Sequence, residues 1–266
     1  MQSADRPSDE DTRARPVARW RPYVFNAAMG ALVAVTALVA GPALIVLPQE
    51  RTRAVARWWA RTNLKLLRAI VGISLEIRGR EHIPQGGALI AVKHQSALET
   101  FALMPELPDP AFVLKRELLE LPLFGWFLQR IGVIAVNRAA GSKALGDLLL
   151  QSQKATVLGR QVVIYPEGTR RPIGAPPDYK SGVALLYKRL DVACVPVAIN
   201  TGVFWPKKAP VWRRGRAVIE FLEPIPPGLD RHDFERLLQS RIEQASAALA
   251  AEAQGDQEVL VFSSID

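Results

Sequence analysis

The chain has 266 residues, with 34 Lys and Arg against 26 Asp and Glu, three His and one Cys. A composition of 49% hydrophobic and 23% charged residues excludes wholesale disorder, and the length supplies enough chain for a buried core. The lone Cys194 excludes an intramolecular disulfide and the small secreted scaffolds that depend on one, and it excludes a four-Cys or Cys/His zinc cluster.

Residues 1–16 (MQSADRPSDEDTRARP) are polar and charge-mixed and are expected to form a disordered leader. Residues 13–80 hold twelve Lys and Arg and two acids, a balance of +10; the remainder holds 22 basic and 24 acidic residues, or −2. The basic excess therefore flanks one segment and does not cover the body, which argues against a nucleic-acid partner. Between those arginines, Tyr23–Pro48 runs for 26 residues without a charge. A spanning helix needs roughly 20 apolar residues, and the run exceeds the h-region of a signal peptide, so it reads as an uncleaved membrane anchor. Gly41-Pro42 predicts a kink or turn within it. Arginines on both flanks leave orientation undecided between a spanning helix and a hairpin that returns to the same leaflet.

In the following stretch Arg53, Arg57, Arg61, Lys65 and Arg68 line one helical face, beside Val55, Trp58, Trp59, Leu66 and Ile70. That pattern predicts an amphipathic helix in the headgroup region, although a helix docked on the protein shows the same periodicity. Residues 17–72 are thus the anchoring unit, 73–252 a single domain with no repeat or Gly/Ser linker dividing it, and 253–266 a tail with an unassigned apolar run.

Beyond Gly72 short β-rich runs alternate with helical patterns. Strands are predicted over 74–79, 88–92, 111–115, 132–136, 161–166, 193–199 and 217–222. Helices are predicted over 97–104, irregularly over 117–129, over 143–158, and over 230–252 from a cap at or near Asp230. The near-continuous β-branched runs QVVIYP and ACVPVAI mark central strands buried on both faces. The alternation predicts an α/β fold: a mixed, largely parallel sheet covered by helices, with the N-terminal helical anchor attached.

In such sheets, sites gather where strands end and helices begin. His94 follows one strand by two residues, and Glu99 comes five residues later, where a first helical turn brings it back to the imidazole. A carboxylate on one ring nitrogen leaves the other as a base suited to a substrate hydroxyl. The same His would otherwise only cap the helix. The strand QVVI runs into Tyr-Pro-Glu-Gly-Thr-Arg-Arg, a glycine turn ending in Arg170, which suits phosphate capture or, more plainly, a solvated turn. Arg138, Lys115 and Arg116 end two further strands. Together these ends form a pocket for an anionic substrate with a reactive hydroxyl.

These pieces resemble, in order, the four blocks of the bacterial 1-acyl-glycerol-3-phosphate acyltransferases, the PlsC-like lysophospholipid acyltransferase family. They are His94-Gln-Ser-Ala-Leu-Glu99; Lys115-Arg116-Glu117-Leu118 through Pro122, Gly125 and Gly132 to Arg138; Glu167-Gly168-Thr169-Arg170; and Val195-Pro196-Val197, over about residues 75–200. The resemblance implies a glycerolipid acyltransferase domain on the cytoplasmic side of the cell inner membrane. It implies transfer from an acyl thioester, acyl-CoA or acyl carrier protein, to the sn-2 hydroxyl of lysophosphatidate, giving phosphatidic acid. His94 would be the base and Glu99, where the family usually carries Asp, would orient it. Lys115, Arg138, Glu167, Gly168, Thr169 and Arg170 would bind the glycerol-phosphate end. No metal or prosthetic group is implied; the partners are membrane lipids, anionic phospholipids among them, and the acyl carrier. The same chemistry on another acceptor such as lyso-ornithine lipid, or a lipid-binding protein with a decayed site, are the alternatives. His82 and His232 are expected at the surface or in packing, Cys194 in the core, and Arg213, Arg214 and Arg216 in a solvated loop or against anionic lipid or a carrier.

Overall fold

The computed structural model describes residues 13–46, 48–122, 124–137, 140–207 and 211–255. Among them, strands β1 (Arg15–Pro16), β2 (Ile73–Arg78), β3 (Ala88–Val92), β4 (Pro110–Lys115), β5 (Ile134–Val136), β6 (Gln161–Ile164), β7 (Cys194–Ile199) and β8 (Arg213–Phe221) form an eight-stranded sheet. Its order is β1-β8-β7-β3-β6-β4-β5, with β2 also paired to β8. From β7 to β5 every pairing is parallel, whereas β8 runs antiparallel to β7 and β1 and parallel to β2. The mixed, largely parallel sheet expected from the alternation is present. β3, β6 and β7 are buried along their whole length, which is why they read as unbroken apolar runs. Runs 74–79 and 88–92, consecutive in the chain, are not neighbours in the sheet: β2 lies against β8, and β3 between β6 and β7.

Helices α1 (Trp20–Val46), α2 (Gln49–Val71), α3 (Leu98–Ala102), α4 (Phe124–Ile131), α5 (Ser142–Val157), α6 (Ser181–Leu190), α7 (Thr201–Phe204) and α8 (Arg231–Gln254) surround the sheet, with a 3-10 turn over Arg116–Glu120. The Asp230 side chain accepts from the Asp233 N–H and starts α8, and Gly255 closes it in the left-handed conformation. Helix α6 and the short α7 had no separate signal in the sequence. The loop expected around Arg213, Arg214 and Arg216 is strand β8, with Arg216 paired to Glu76 at 3.1 Å. Cys194 is fully buried, and His82 packs with Nδ1 2.9 Å from the Phe221 carbonyl.

Part of the expected leader is ordered. Arg15 and Pro16 pair with Arg214 and Arg213, and the Ala14 N–H donates to the Ala253 carbonyl at 2.9 Å. These are main-chain bonds, so no side-chain pattern announces them. Helix α1 continues through Gly41-Pro42 to Val46, and the chain turns at Pro48 instead of at that pair. Its segment Trp20–Gly41 is long and apolar enough to cross a membrane, and 11% of its apolar window is buried. At its base Phe25 is fully buried, edge-on to Trp205 at 5.5 Å and tilted against Trp212 at 6.1 Å. Removing a fully buried Phe costs about 3–5 kcal/mol in transfer and cavity terms. Phe25→Ala is expected to lose about that much, read as the unfolding free energy in detergent.

Helix α2 buries Thr52, Ala56, Ala60, Asn63, Leu67 and Val71 against the body. Two members of its basic stripe are engaged there: Arg53 Nη1 lies 2.9 Å from Asp109 Oδ2, and Arg57 donates to the Pro108 carbonyl. Arg61, Lys65 and Arg68 stay exposed, as does Trp58, while Trp59 packs edge-on to Phe101. The docked form of the amphipathic pattern therefore accounts for two of the five basic residues, and the other three face outward.

Candidate active site

Because β3, β4, β6 and β7 are parallel, their carboxyl ends open on one edge of the sheet. His94 follows β3 immediately after Lys93. A short irregular loop leads to α3 at Leu98, and the first turn of α3 carries Glu99 back to the His94 ring. His94 Nδ1 and Glu99 Oε1 are 2.9 Å apart. The same oxygen accepts the Gln95 N–H at 2.9 Å and the Ser96 N–H at 2.7 Å, and Thr201 at the start of α7 donates its hydroxyl to Glu99 Oε2 at 2.7 Å. The carboxylate, at 0% exposure, thus accepts four bonds from two stretches of chain.

With Nδ1 donating to Glu99, Nε2 is left as the acceptor. The imidazole plane is set from its other side by Tyr165, stacked at 4.1 Å between centroids and 27° between planes. Burial, with the Glu99 charge behind it, pushes the Tyr165 hydroxyl well above its usual range. Among the described residues that hydroxyl has no hydrogen-bond partner, and Tyr165 serves as a packing surface for the ring.

Around this pair opens a cavity of about 1030 Å³. Much of the lining is apolar and comes from α1, α2, α3 and α4, with Met29, Val33, Trp59, Phe101 and Phe127 among its side chains. Another stretch is cationic, from Lys115 at the end of β4, Arg170 and Lys180 beyond β6, and Lys207. His94 borders the same space. Lys207 Nζ contacts Thr169 Oγ1 at 3.2 Å, and Lys180 is paired with Asp178 at 2.7 Å. Among the described residues, no group of three or more His, Cys, Asp or Glu is placed to hold a metal ion.

The site residues expected from the sequence separate into three sets. His94, Glu99, Lys115, Gly168, Thr169 and Arg170 converge as described. Arg138 lies outside the described residues. Glu167 differs from its neighbours in the turn: it is 2% exposed, and its Oε1 is bonded to the buried Lys93 ammonium at 3.0 Å, so its carboxylate is engaged within the protein. Glu167 nonetheless lines the same cavity, and its bond to Lys93 could not be read from the sequence, because spacing along a turn carries no information on which way a side chain points. Lys93, Tyr165, Thr201 and Lys207 were not singled out. Thr201, directly after the central strand β7, had a usable signal in its position on the same sheet edge.

Residues 74–200 match the Acyltransferase family model. The 1-acyl-sn-glycerol-3-phosphate acyltransferase of Pseudomonas aeruginosa is 39% identical over 163 residues, covering 61% of this chain and 63% of that protein. The human 1-acyl-sn-glycerol-3-phosphate acyltransferase alpha is 30% identical over 186 residues, covering 66% of each. The family model thus covers just under half of the chain. The matched regions span just under two thirds of these two relatives' lengths. The fold of the domain is also that of the crystal structure of PlsC, the 1-acyl-sn-glycerophosphate acyltransferase from Thermotoga maritima. That likeness has a TM-score of 0.69 at 18% identity, over 87% of this chain and 98% of that one. All four sequence blocks fall within the matched 74–200 span.

Proposed function

We propose that this protein is a membrane-attached acyltransferase that moves a fatty acyl group from an acyl thioester to the sn-2 hydroxyl of 1-acyl-glycerol 3-phosphate, forming phosphatidate. The observation that carries this reading is the His94–Glu99 pair bordering a cavity with one apolar and one cationic stretch of wall. An acceptor with one acyl chain, one free hydroxyl and one phosphate matches that division. The relatives named for the same reaction support it.

In the proposed step, His94 Nε2 accepts the hydroxyl proton as the oxygen attacks the thioester carbonyl carbon. Glu99 stabilises the imidazolium that forms. The tetrahedral intermediate collapses with cleavage of the C–S bond, and the departing thiolate receives the proton from His94. Acyl-CoA and acyl carrier protein both supply such a thioester, and the step as written needs no metal or prosthetic group. Lys115, Thr169, Arg170 and the Gly168 turn hold the phosphate, with Arg138 contributing from the neighbouring block. Helix α1 holds the domain at the bilayer, on the cytoplasmic side of the inner membrane, where lysolipid and acyl donor meet.

The reading is tested by transfer of labelled acyl groups from acyl-CoA and from acyl carrier protein to a panel of lysolipids, using detergent-purified protein. Phosphatidate formed from lysophosphatidate in preference to other acceptors, lyso-ornithine lipid included, is the expected result; acylation of another lysolipid only would overturn the acceptor. Within the same assay Arg170→Ala is expected to raise KM for lysophosphatidate about 10–100-fold. A hydrogen bond to a charged group contributes about 1.5–3 kcal/mol, and kcat should change far less. Unchanged saturation by acceptor would remove Arg170 from the phosphate site.

A further inference from the structure

The residue before His94 is a lysine with 4% exposure at the end of a fully apolar strand, where a charge is costly unless paired. Its pairing is complete. Lys93 Nζ contacts Glu167 Oε1 at 3.0 Å, Glu243 Oε1 at 2.7 Å and Glu243 Oε2 at 2.9 Å. Glu243 belongs to α8 and also accepts the Tyr179 hydroxyl at 2.9 Å, from the segment leading into α6. One ammonium therefore joins the residue beside the base, the residue beside the Gly168-Thr169-Arg170 turn, and a helix far along the chain.

The backbone repeats the connection. The Arg171 N–H donates to the His94 carbonyl at 2.8 Å, the Lys93 N–H to the Val197 carbonyl at 3.0 Å, and the Lys180 N–H to the Pro166 carbonyl at 2.9 Å. The turn that carries the base and the turn that carries the phosphate donors are thus locked together by both main chain and side chain. We propose that Lys93 is a positioning residue: through Glu167 and Glu243 it sets the separation between His94 and the Gly168–Arg170 turn, so that an acceptor held by its phosphate presents its hydroxyl to the base. Glu167 acts through Lys93 and does not touch substrate. Two carboxylates share the ammonium, and burial, together with the nearby Glu243, raises the pKa of Glu167 against the opposing pull of Lys93. Glu167→Gln keeps an acceptor oxygen for the ammonium, whereas losing the ammonium strands both acids.

This inference rests on the reaction proposed above, and its test separates the two. Wild-type protein, Lys93→Met, Glu167→Gln, the double variant and Glu243→Gln are compared for kcat and for KM of lysophosphatidate and of acyl-CoA. Lys93→Met is expected to raise the lysophosphatidate KM at least about tenfold, with the acyl-CoA KM within about twofold. A merely structural loss would lower the active fraction, and so kcat, without that selectivity.

Glu167→Gln keeps an amide oxygen for Lys93 and is expected to stay within about fivefold of wild type. The double variant is expected to be no worse than Lys93→Met, since residues that act as one unit do not add. Should Lys93→Met fail to fold, Glu243→Gln, at a partly exposed position, carries the same test with an expected acceptor-KM rise of about threefold or more. An unchanged acceptor KM in the folded variants, or effects of Lys93→Met and Glu167→Gln that multiply, would overturn the inference alone. Wild-type protein that makes no phosphatidate would overturn the proposed reaction first.

Discussion

Replacing His94 with alanine is expected to lower kcat by about a thousandfold or more while the protein stays folded, because a positioned general base contributes about 10²–10⁴-fold and no other described base is bonded to Glu99. The side chain leaves behind only its stack on Tyr165 and one of the four bonds to Glu99. Gln95, Ser96 and Thr201 continue to hold the carboxylate, so melting temperature should change little. Labelled acyl transfer to lysophosphatidate beside a melting curve checks both halves. Turnover near the wild-type rate would sink the mechanism.

Glu99 gives the second large effect, and two substitutions separate its charge from its shape. In Glu99→Gln the amide oxygen can occupy the Oε1 position and accept from His94, Gln95 and Ser96. The amide nitrogen then faces Thr201, whose hydroxyl can rotate from donor to acceptor. The fold is kept and the negative charge beside the imidazolium is lost, so kcat should fall about 100–1000-fold at nearly constant melting temperature. Glu99→Ala instead strands buried donors at Gln95, Ser96 and Thr201, each costing about 1–3 kcal/mol, and should lower stability as well. Glu99→Gln at more than a tenth of wild-type kcat would show that the charge is not used.

The longer carboxylate in place of the family's usual Asp has a use visible in these bonds. One oxygen serves the loop between β3 and α3, and the other reaches across to Thr201 at the start of α7. The base is thereby braced by two elements of the sheet edge and not only by its own loop.

How much of this could be read from the sequence depended on whether a feature is local. The buried strands β6 and β7 were legible because burial on both faces removes polar residues from the run itself. His94 and Glu99 were legible because the five-residue spacing already closes them through one helical turn. The direction of the Glu167 side chain was not, since it depends on β6 lying beside β3 and on Glu243 arriving from α8, some 76 residues further along the chain. Arg53 and Arg57 illustrate the same limit: a basic stripe is identical in sequence whether it faces lipid headgroups or Asp109 and the Pro108 carbonyl. The pairing of Arg15 and Pro16 with β8 uses main-chain atoms that every residue possesses, so composition had nothing to report.

Helix α1 contributes Met29, Gly30, Val33 and Ala37 to the lining of the cavity while Phe25 pins its base among the tryptophans. An anchor built this way is not an interchangeable module. Its hydropathy answers to the bilayer and its shape answers to whatever lies against it inside, so the same residues are under two independent constraints. A spanning helix borrowed from another protein could match the first and still leave the chamber with one side missing.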